Sequence, residues 1–266
     1  MNILKSKGIR VVCLFLFVIL FTSTFQVVNA SALLSFEDDF ENYYVDSFPS
    51  SGGWELWFDG AGAEQQVIVN NVSYSCSNSL MLLGLDYWAG FAAKPFTSIS
   101  PLIGFEVAVC VSSINGGEHD NARVAFTAKL GGSLSLEYAA VLFQDSGVIT
   151  SGGYILQDYK PNKWYVIRQV LNRETETYSV WVNGKLKCEN LPVLTTSGDS
   201  EAVSTYDIEA FSVSQCYNSV VVYFDDVKVF SKQLDFFVIP EVPLGAIIGL
   251  VGMFTALGTY YRFKKK

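Results

Sequence analysis

Residues 163–188, KWYVIRQVLNRETETYSVWVNGKLKC, constrain the fold more than any other stretch, because they hold three strands together with the turns that join them. Residues 164–171 are rich in β-branched and aromatic side chains, the polar run 172–176 breaks them, and Tyr178, Val180 and Val182 then alternate with Ser179 and Trp181. Asn183-Gly184 closes the second hairpin. Both central residues of a type I′ turn need positive φ, which Asn and Gly tolerate, so Val182 is expected to pair with Lys185.

The same two-residue period recurs on both sides of this stretch. Phe105, Val107, Val109 and Val111 alternate with Glu106, Ala108 and Cys110, and Val124, Phe126, Ala128 and Leu130 with Arg123, Thr127 and Lys129. Leu134, Leu136, Tyr138 and Ala140 repeat the pattern, and shorter strands are expected at 34–36, 54–58, 64–71, 79–84, 208–213 and 220–230. Glycine pairs at 52–53, 116–117, 131–132 and 152–153 punctuate the runs, and no sustained helical period lies between the two ends. About a dozen antiparallel strands in roughly 200 residues favour an all-β, two-sheet sandwich over a small barrel. Residues 31–234 are expected to form one domain around one core.

The ends read differently. Lys5, Lys7 and Arg10 precede the apolar run 11–21, and Val28 and Ala30 suit a signal peptidase cut, so residues 1–30 are expected to be a signal peptide. Residues 244–261 carry no charge and are followed by Arg262 and Lys264, Lys265 and Lys266. Such a run spans roughly 27 Å as a helix, so a transmembrane helix is expected over 244–263, with a basic cytoplasmic tail at 264–266 and the β domain outside. That topology predicts a single-pass protein at the cell surface. Gly245 and Gly249 form a GxxxG that offers a homodimer face between such helices. The linker 235–243 contains Pro240-Glu241-Val242, which resembles the PEF-type sorting signal of archaeal surface proteins.

Between residues 31 and 243 lie all 26 acidic residues against 11 basic ones, a net charge of −15. That balance excludes nucleic acid as a partner, which needs a basic face. Cys76, Cys110, Cys188 and Cys216 remain after signal removal; four thiols allow three pairings, and their spacing has no CxxC for zinc. Asn71-Val72-Ser73 is a glycosylation triplet, expected in a surface loop if used.

The opening residues DDFENY at 38–43, GGW at 52–54, the hairpin WYVIRQVLNRETETYSVWVNG and the closing FDDVKVF at 224–230 together resemble the concanavalin A-like lectin/glucanase superfamily, especially its laminin G-like branch. The resemblance implies a jelly-roll sandwich with paired terminal strands, and a structural calcium held near the first and last strands, for which Glu37, Asp39, Asp225 and Asp226 are the matching positions. Oxygen-only ligands suit calcium. The fold also hosts lectins, hydrolases, lyases and adhesion modules, so it does not choose among them.

Glu37-Asp38-Asp39-Phe40-Glu41 fits the E-x-D-x-E pattern of family 16 glucanases. Catalysis there is disfavoured, because Asp38 would point into the core as an unpaired carboxylate and because that family carries its motif in mid-domain. His119, the only histidine, reads as an exposed loop residue, and Asp207 and Glu209 share a strand face. For a sugar ring, Trp88 is the best-placed aromatic, with Arg123, Lys129, Glu137, Arg168 and Glu209 as partners for its hydroxyls. The chain therefore reads as a non-enzymatic, surface-anchored module that binds glycan or a cell-surface protein. A glycoside hydrolase or polysaccharide lyase of the same fold is the alternative, and a structural envelope protein a third reading.

Overall fold

The computed structural model describes residues 33–86, 88–114, 119–129, 135–195, 204–216 and 218–231. The chain divides into two units, Ala32–Leu234 and a second made of Met1–Ser31 with Asp235–Lys266. All described residues belong to the first. They form fifteen strands: β1 (Leu33–Asp38), β2 (Glu55–Asp59), β3 (Val67–Val69), β4 (Ser79–Leu83), β5 (Gly90–Pro95), β6 (Leu102–Val111), β7 (Asp120–Lys129), β8 (Ser135–Gln144), β9 (Val148–Ser151), β10 (Tyr154–Asp158), β11 (Trp164–Asn172), β12 (Thr177–Val182), β13 (Lys185–Pro192), β14 (Ala210–Gln215) and β15 (Val221–Ser231).

These build two antiparallel sheets. The eight-stranded sheet has the order β13-β12-β11-β6-β15-β4-β3, with β1 added beside β15, and the seven-stranded sheet has the order β10-β9-β8-β7-β14-β5-β2. The hairpin behaves as its turn chemistry requires. Val182 pairs with Lys185, and Asn183 and Gly184 sit at φ 50° and 74°. Asn183 also accepts the Val166 N–H on its side-chain oxygen at 2.8 Å, so one residue both makes the turn and secures β11.

β15 organises its sheet because it pairs on both sides. β6 runs along one edge, while the other edge is shared: β4 takes Val221, Val222, Tyr223 and Phe224, and β1 takes residues 227–231. The two halves meet at a bulge around Asp225 and Asp226, where Asp226 adopts φ 48°. A bulge leaves one residue unpaired and turns the strand, which lets one long edge host two partners.

Between the sheets lies one core. Phe105 of β6 meets Phe126 of β7 at 5.2 Å and Phe211 of β14 at 5.0 Å between ring centroids, so the central strands of the two sheets are joined by aromatic contact. β8 departs from simple alternation. Leu136 and Tyr138 point inward, but Ala139 lies at φ 51° and the phase then switches, so that Val141 and Phe143 face the core in place of the expected Ala140.

The expected membrane helix is corrected. Among the described residues no helix is long and apolar enough to cross a membrane, and the only helical pieces are three short 3-10 turns. Residues 244–263, like the signal segment 1–30 and the sorting motif at 240–242, lie outside the described residues. An apolar run of sufficient length states a composition; the helix itself has to be supplied by the structure. Single-pass anchoring, display at the cell surface and dimerisation through Gly245 and Gly249 all depended on that helix, and none is retained. The fold of the described residues is the two-sheet sandwich.

Candidate functional site

The outward face of the seven-stranded sheet gathers most of the candidate residues. Arg123 and Asp120 lie on β7 and Glu137 on β8. The β7–β8 register shifts between Asp120 and Ala122, which brings Asp120 to the face of Arg123 despite their odd spacing. The guanidinium then holds two carboxylates. Nε and Nη2 donate to Asp120, the latter at 3.0 Å, and Nη1 donates to Glu137 Oε2 at 2.8 Å. Asp120 and Glu137 are buried while Arg123 keeps 22% of its side chain exposed. Burial opposes the Arg123 charge, but the Glu137 and Asp120 carboxylates outweigh it and hold the guanidinium above its ordinary pKa. Cys216 is fully buried, and its thiol is pushed well up by that burial, so it stays neutral.

Beside this cluster the sheet surface is floored by small side chains. Ala125, Ser212 and Ala93 follow one another across β7, β14 and β5, flanked by Thr127 and Ala210 on one side and Ser214 on the other. Thr127 and Ser212 share a hydroxyl hydrogen bond of 2.5 Å.

At the β2 edge the floor meets aromatic rings. Trp57 stacks flat on Phe91, 5.5 Å between centroids and 2° between planes. Phe58 packs edge-on against both Phe91 and Trp88 at 5.7 Å. Trp88 is 48% exposed, and its indole N–H donates to Asp59 Oδ1 at 2.7 Å, which orients the ring. Lys129 Nζ stands 5.2 Å from the Trp57 ring centre, and the Lys129 N–H donates to Glu209 Oε1 at 2.7 Å.

Trp88, Arg123, Lys129, Glu137 and Glu209 are thus all carried by the seven-stranded sheet or its connections. Arg168 is not. It lies on β11 of the other sheet, its guanidinium 5.6 Å from the Trp181 ring and 5.5 Å from Phe230, with burial lowering its pKa against the pull of Glu106. Asp207 belongs to a 3-10 turn and accepts the Ser204 N–H at 3.1 Å, so it caps the turn and does not share a strand face with Glu209. Asp120, Asp59, Trp57, Phe58 and Phe91 were missed in sequence. The bulge hid Asp120, and nothing in a lone WELWFD run says which ring faces outward.

The acidic opening segment is spent on the fold. Asp38 does point inward, but it is not unpaired: it accepts from Tyr43 Oη at 2.7 Å, Trp54 Nε1 at 2.9 Å, Lys94 Nζ at 2.8 Å and the Phe40 N–H at 3.2 Å. Lys94 in turn stands over Phe36 and Trp54 at 4.7 and 5.6 Å. Burial first, then the Asp38 hydrogen bond, raise Tyr43 far above a free phenol. Glu37 pairs with Lys228 at 3.0 Å, Asp39 accepts the Glu41 N–H at 3.2 Å, and Glu41 accepts the N–H groups of Ser77 and Asn78 at 2.8 and 2.7 Å. Asp225, buried at the β15 bulge, accepts the N–H groups of Tyr74, Ser75 and Asp226, and Asp226 accepts the Ser75 hydroxyl. Among the described residues no three His, Cys, Asp or Glu side chains gather as a metal centre. Cys76, Cys110, Cys188 and Cys216 are all free. His119 and Asn71 are exposed, the latter in the loop after β3.

No family model matches this chain, and no curated protein does. Membership of the concanavalin A-like superfamily is corrected to an all-β sandwich, and the archaeal sorting motif lies outside the described residues. Among solved structures the chain is similar to the carbohydrate esterase vb_24B_21 from Shiga toxin-encoding bacteriophage phi24B, at 9% identity and TM-score 0.50, over 76% of this chain and 100% of that one. It is also similar to the cellulose induced protein Cip1, at 15% identity and TM-score 0.47, over 74% and 97% of the two chains. A sialidase matches at 13% identity and TM-score 0.46 over 71% of this chain, which spans only 18% of the sialidase's length. These likenesses concern the fold alone.

Proposed function

We propose that the chain is a carbohydrate-active protein that seats its saccharide on the outward face of the seven-stranded sheet and acts on it as a hydrolase or lyase. The observation that carries this reading is the Asp120–Arg123–Glu137 cluster. Sinking two carboxylates and a guanidinium into a sheet face costs several kcal/mol per ion in desolvation, and well-packed apolar residues would serve stability at least as well. Such arrangements are concentrated where charge is used chemically. The Trp57, Phe58 and Trp88 shelf supplies flat apolar surface for a sugar ring, and the small-residue floor leaves room between shelf and cluster. In support, the fold is shared with a protein described as a carbohydrate esterase.

In this reading Glu137 exchanges the proton and Arg123 positions it and balances its charge. Glu137→Gln keeps the shape and removes the ionisable group, so turnover of a cleaved polysaccharide should fall by about 100-fold or more while binding persists. Release of reducing ends reports a hydrolase, and new ultraviolet absorbance from an unsaturated uronate reports a lyase. Saccharide binding with no cleavage would return the chain to the non-catalytic binding role. Trp88→Ala should weaken binding in either case, since it removes the exposed ring of the shelf.

A further inference from the structure

Arg173, just past the end of β11, differs from Arg123 in having no acid paired with it among the described residues. It is 2% exposed, and it takes part in none of the ion pairs among the described residues. Its backbone is pinned, the N–H to Pro101 O at 2.8 Å and the carbonyl to the Thr205 hydroxyl at 3.4 Å. Its Nη1 donates to Ser98 O at 2.6 Å. The remaining donors, Nε and Nη2, are buried and have no hydrogen-bond partner among the described residues. Those two N–H groups form the side-on edge of the guanidinium. They point the same way, at the spacing of the two oxygens of a carboxylate.

From this we propose that the Nε–Nη2 edge of Arg173 is a binding site for a carboxylate-bearing small molecule, of which a uronic acid is the sugar form. Two surrounding features fit such a ligand. Tyr206 lies over the guanidinium, 5.4 Å from the Arg173 Cζ to the ring centre, and is 51% exposed, so it offers an accessible ring for an incoming ligand to stack on. Ile99, beside the Ser98 carbonyl, is 99% exposed and gives apolar surface at the same end of the sandwich. A buried cation left uncompensated is unstable relative to one that is paired, which is the drive for an anion to enter. Burial lowers the Arg173 pKa against a smaller opposing effect of Tyr206, in keeping with a charge that has no counter-ion. The site is separate from the Asp120–Arg123–Glu137 face and does not depend on its reading.

The test is titration of the folded protein with acetate and with glucuronate at constant ionic strength, followed by melting temperature and by the Arg173 Nε–H signal in proton–nitrogen NMR. Glucose and sulfate are the controls. The expected result is a saturable rise in Tm and a moving Nε–H resonance with both carboxylates. A larger effect of glucuronate than of acetate identifies an acidic sugar, and equal effects identify the carboxylate alone. Neither effect should appear with glucose. Arg173→Gln should abolish binding, and Arg173→Lys, which keeps charge but loses the fork, should weaken it about tenfold. No response in the parent protein overturns the proposal, as does a response that survives in Arg173→Gln or one that sulfate produces equally. If the glutamine variant does not fold, the parent resonance and the lysine variant decide the matter.

Discussion

A single side chain can hold two layers together, and Asp38 does so. It leaves β1 in one sheet and meets Lys94 from β5 in the other, with Trp54 and Tyr43 completing its shell. Asp38→Asn would leave the Lys94 ammonium buried without its counter-charge, a change that should cost about 3–5 kcal/mol by urea unfolding. Asp38→Asn with Lys94→Met should cost less than the two single losses summed, because neither variant then strands a charge. Inward placement of Asp38 was legible in sequence from the period of the strand. Its partners were not, since Lys94 lies 56 residues away and only the closed sandwich brings them together. Asp225 makes a second, pH-dependent case. Burial pushes its carboxyl up from 3.8 to about 6, against three backbone N–H groups that lower it. In the folded chain it therefore holds a proton that the unfolded chain has released. Its contribution to stability is full below pH 3.8 and is lost as pH rises to about 6. The difference in urea midpoint between the parent and Asp225→Asn, followed across that window, should fall with rising pH and level off above it.

Elements with a two-residue period of large apolar side chains were legible; those without it were not. β6, β7, β11, β12 and β15 announce themselves by alternation, and the Asn183-Gly184 turn fixed the pairing of β12 with β13. Gly184→Ala should cost about 1 kcal/mol, because φ 74° places a Cβ in the left-handed region. β5 was missed because Phe91, Ala92 and Ala93 are all buried, which erases any two-residue period. β9 and β10 are four and five residues long, too short to rise above the surrounding glycine-rich punctuation. The bulges are the other source of error. One at Ala139 reversed the facing of β8, and one near Asp120 brought a carboxylate to the candidate site that simple alternation assigns elsewhere. Of the site, Arg123, Lys129, Glu137, Glu209 and Trp88 were legible as polar or exposed residues on strands and loops. Arg168 was wrongly grouped with them, because alternation within a strand does not say which sheet the strand joins.

For the molecule as a whole, the sheets and their shared core follow from pattern, whereas the address expected from the apolar ends is not retained, since no helix among the described residues is long and apolar enough to cross a membrane. A structural calcium near the first and last strands stands as a proposal, and melting with and without a chelator decides it. A fall in Tm on chelation is the outcome it requires. The Glu37, Asp225 and Asp226 oxygens already engaged by Lys228, Tyr74 and Ser75 give the opposite expectation, an unchanged Tm.

The position of β15 bears on how such a chain is made. The strand that β1, β4 and β6 all need is the last of the described strands to leave the ribosome, so none of the three can reach its final partner until the other described strands have been made. Pairing β1 with β15 spans 198 residues and places the slow step of folding after β15 has emerged. Until then the apolar edges of β6 and β4 stay open to the wrong neighbours, including those of other nascent chains. Chains that stop short of β15 should accumulate as aggregates, and a holding chaperone should matter most for this protein in the moments just before its final strand emerges.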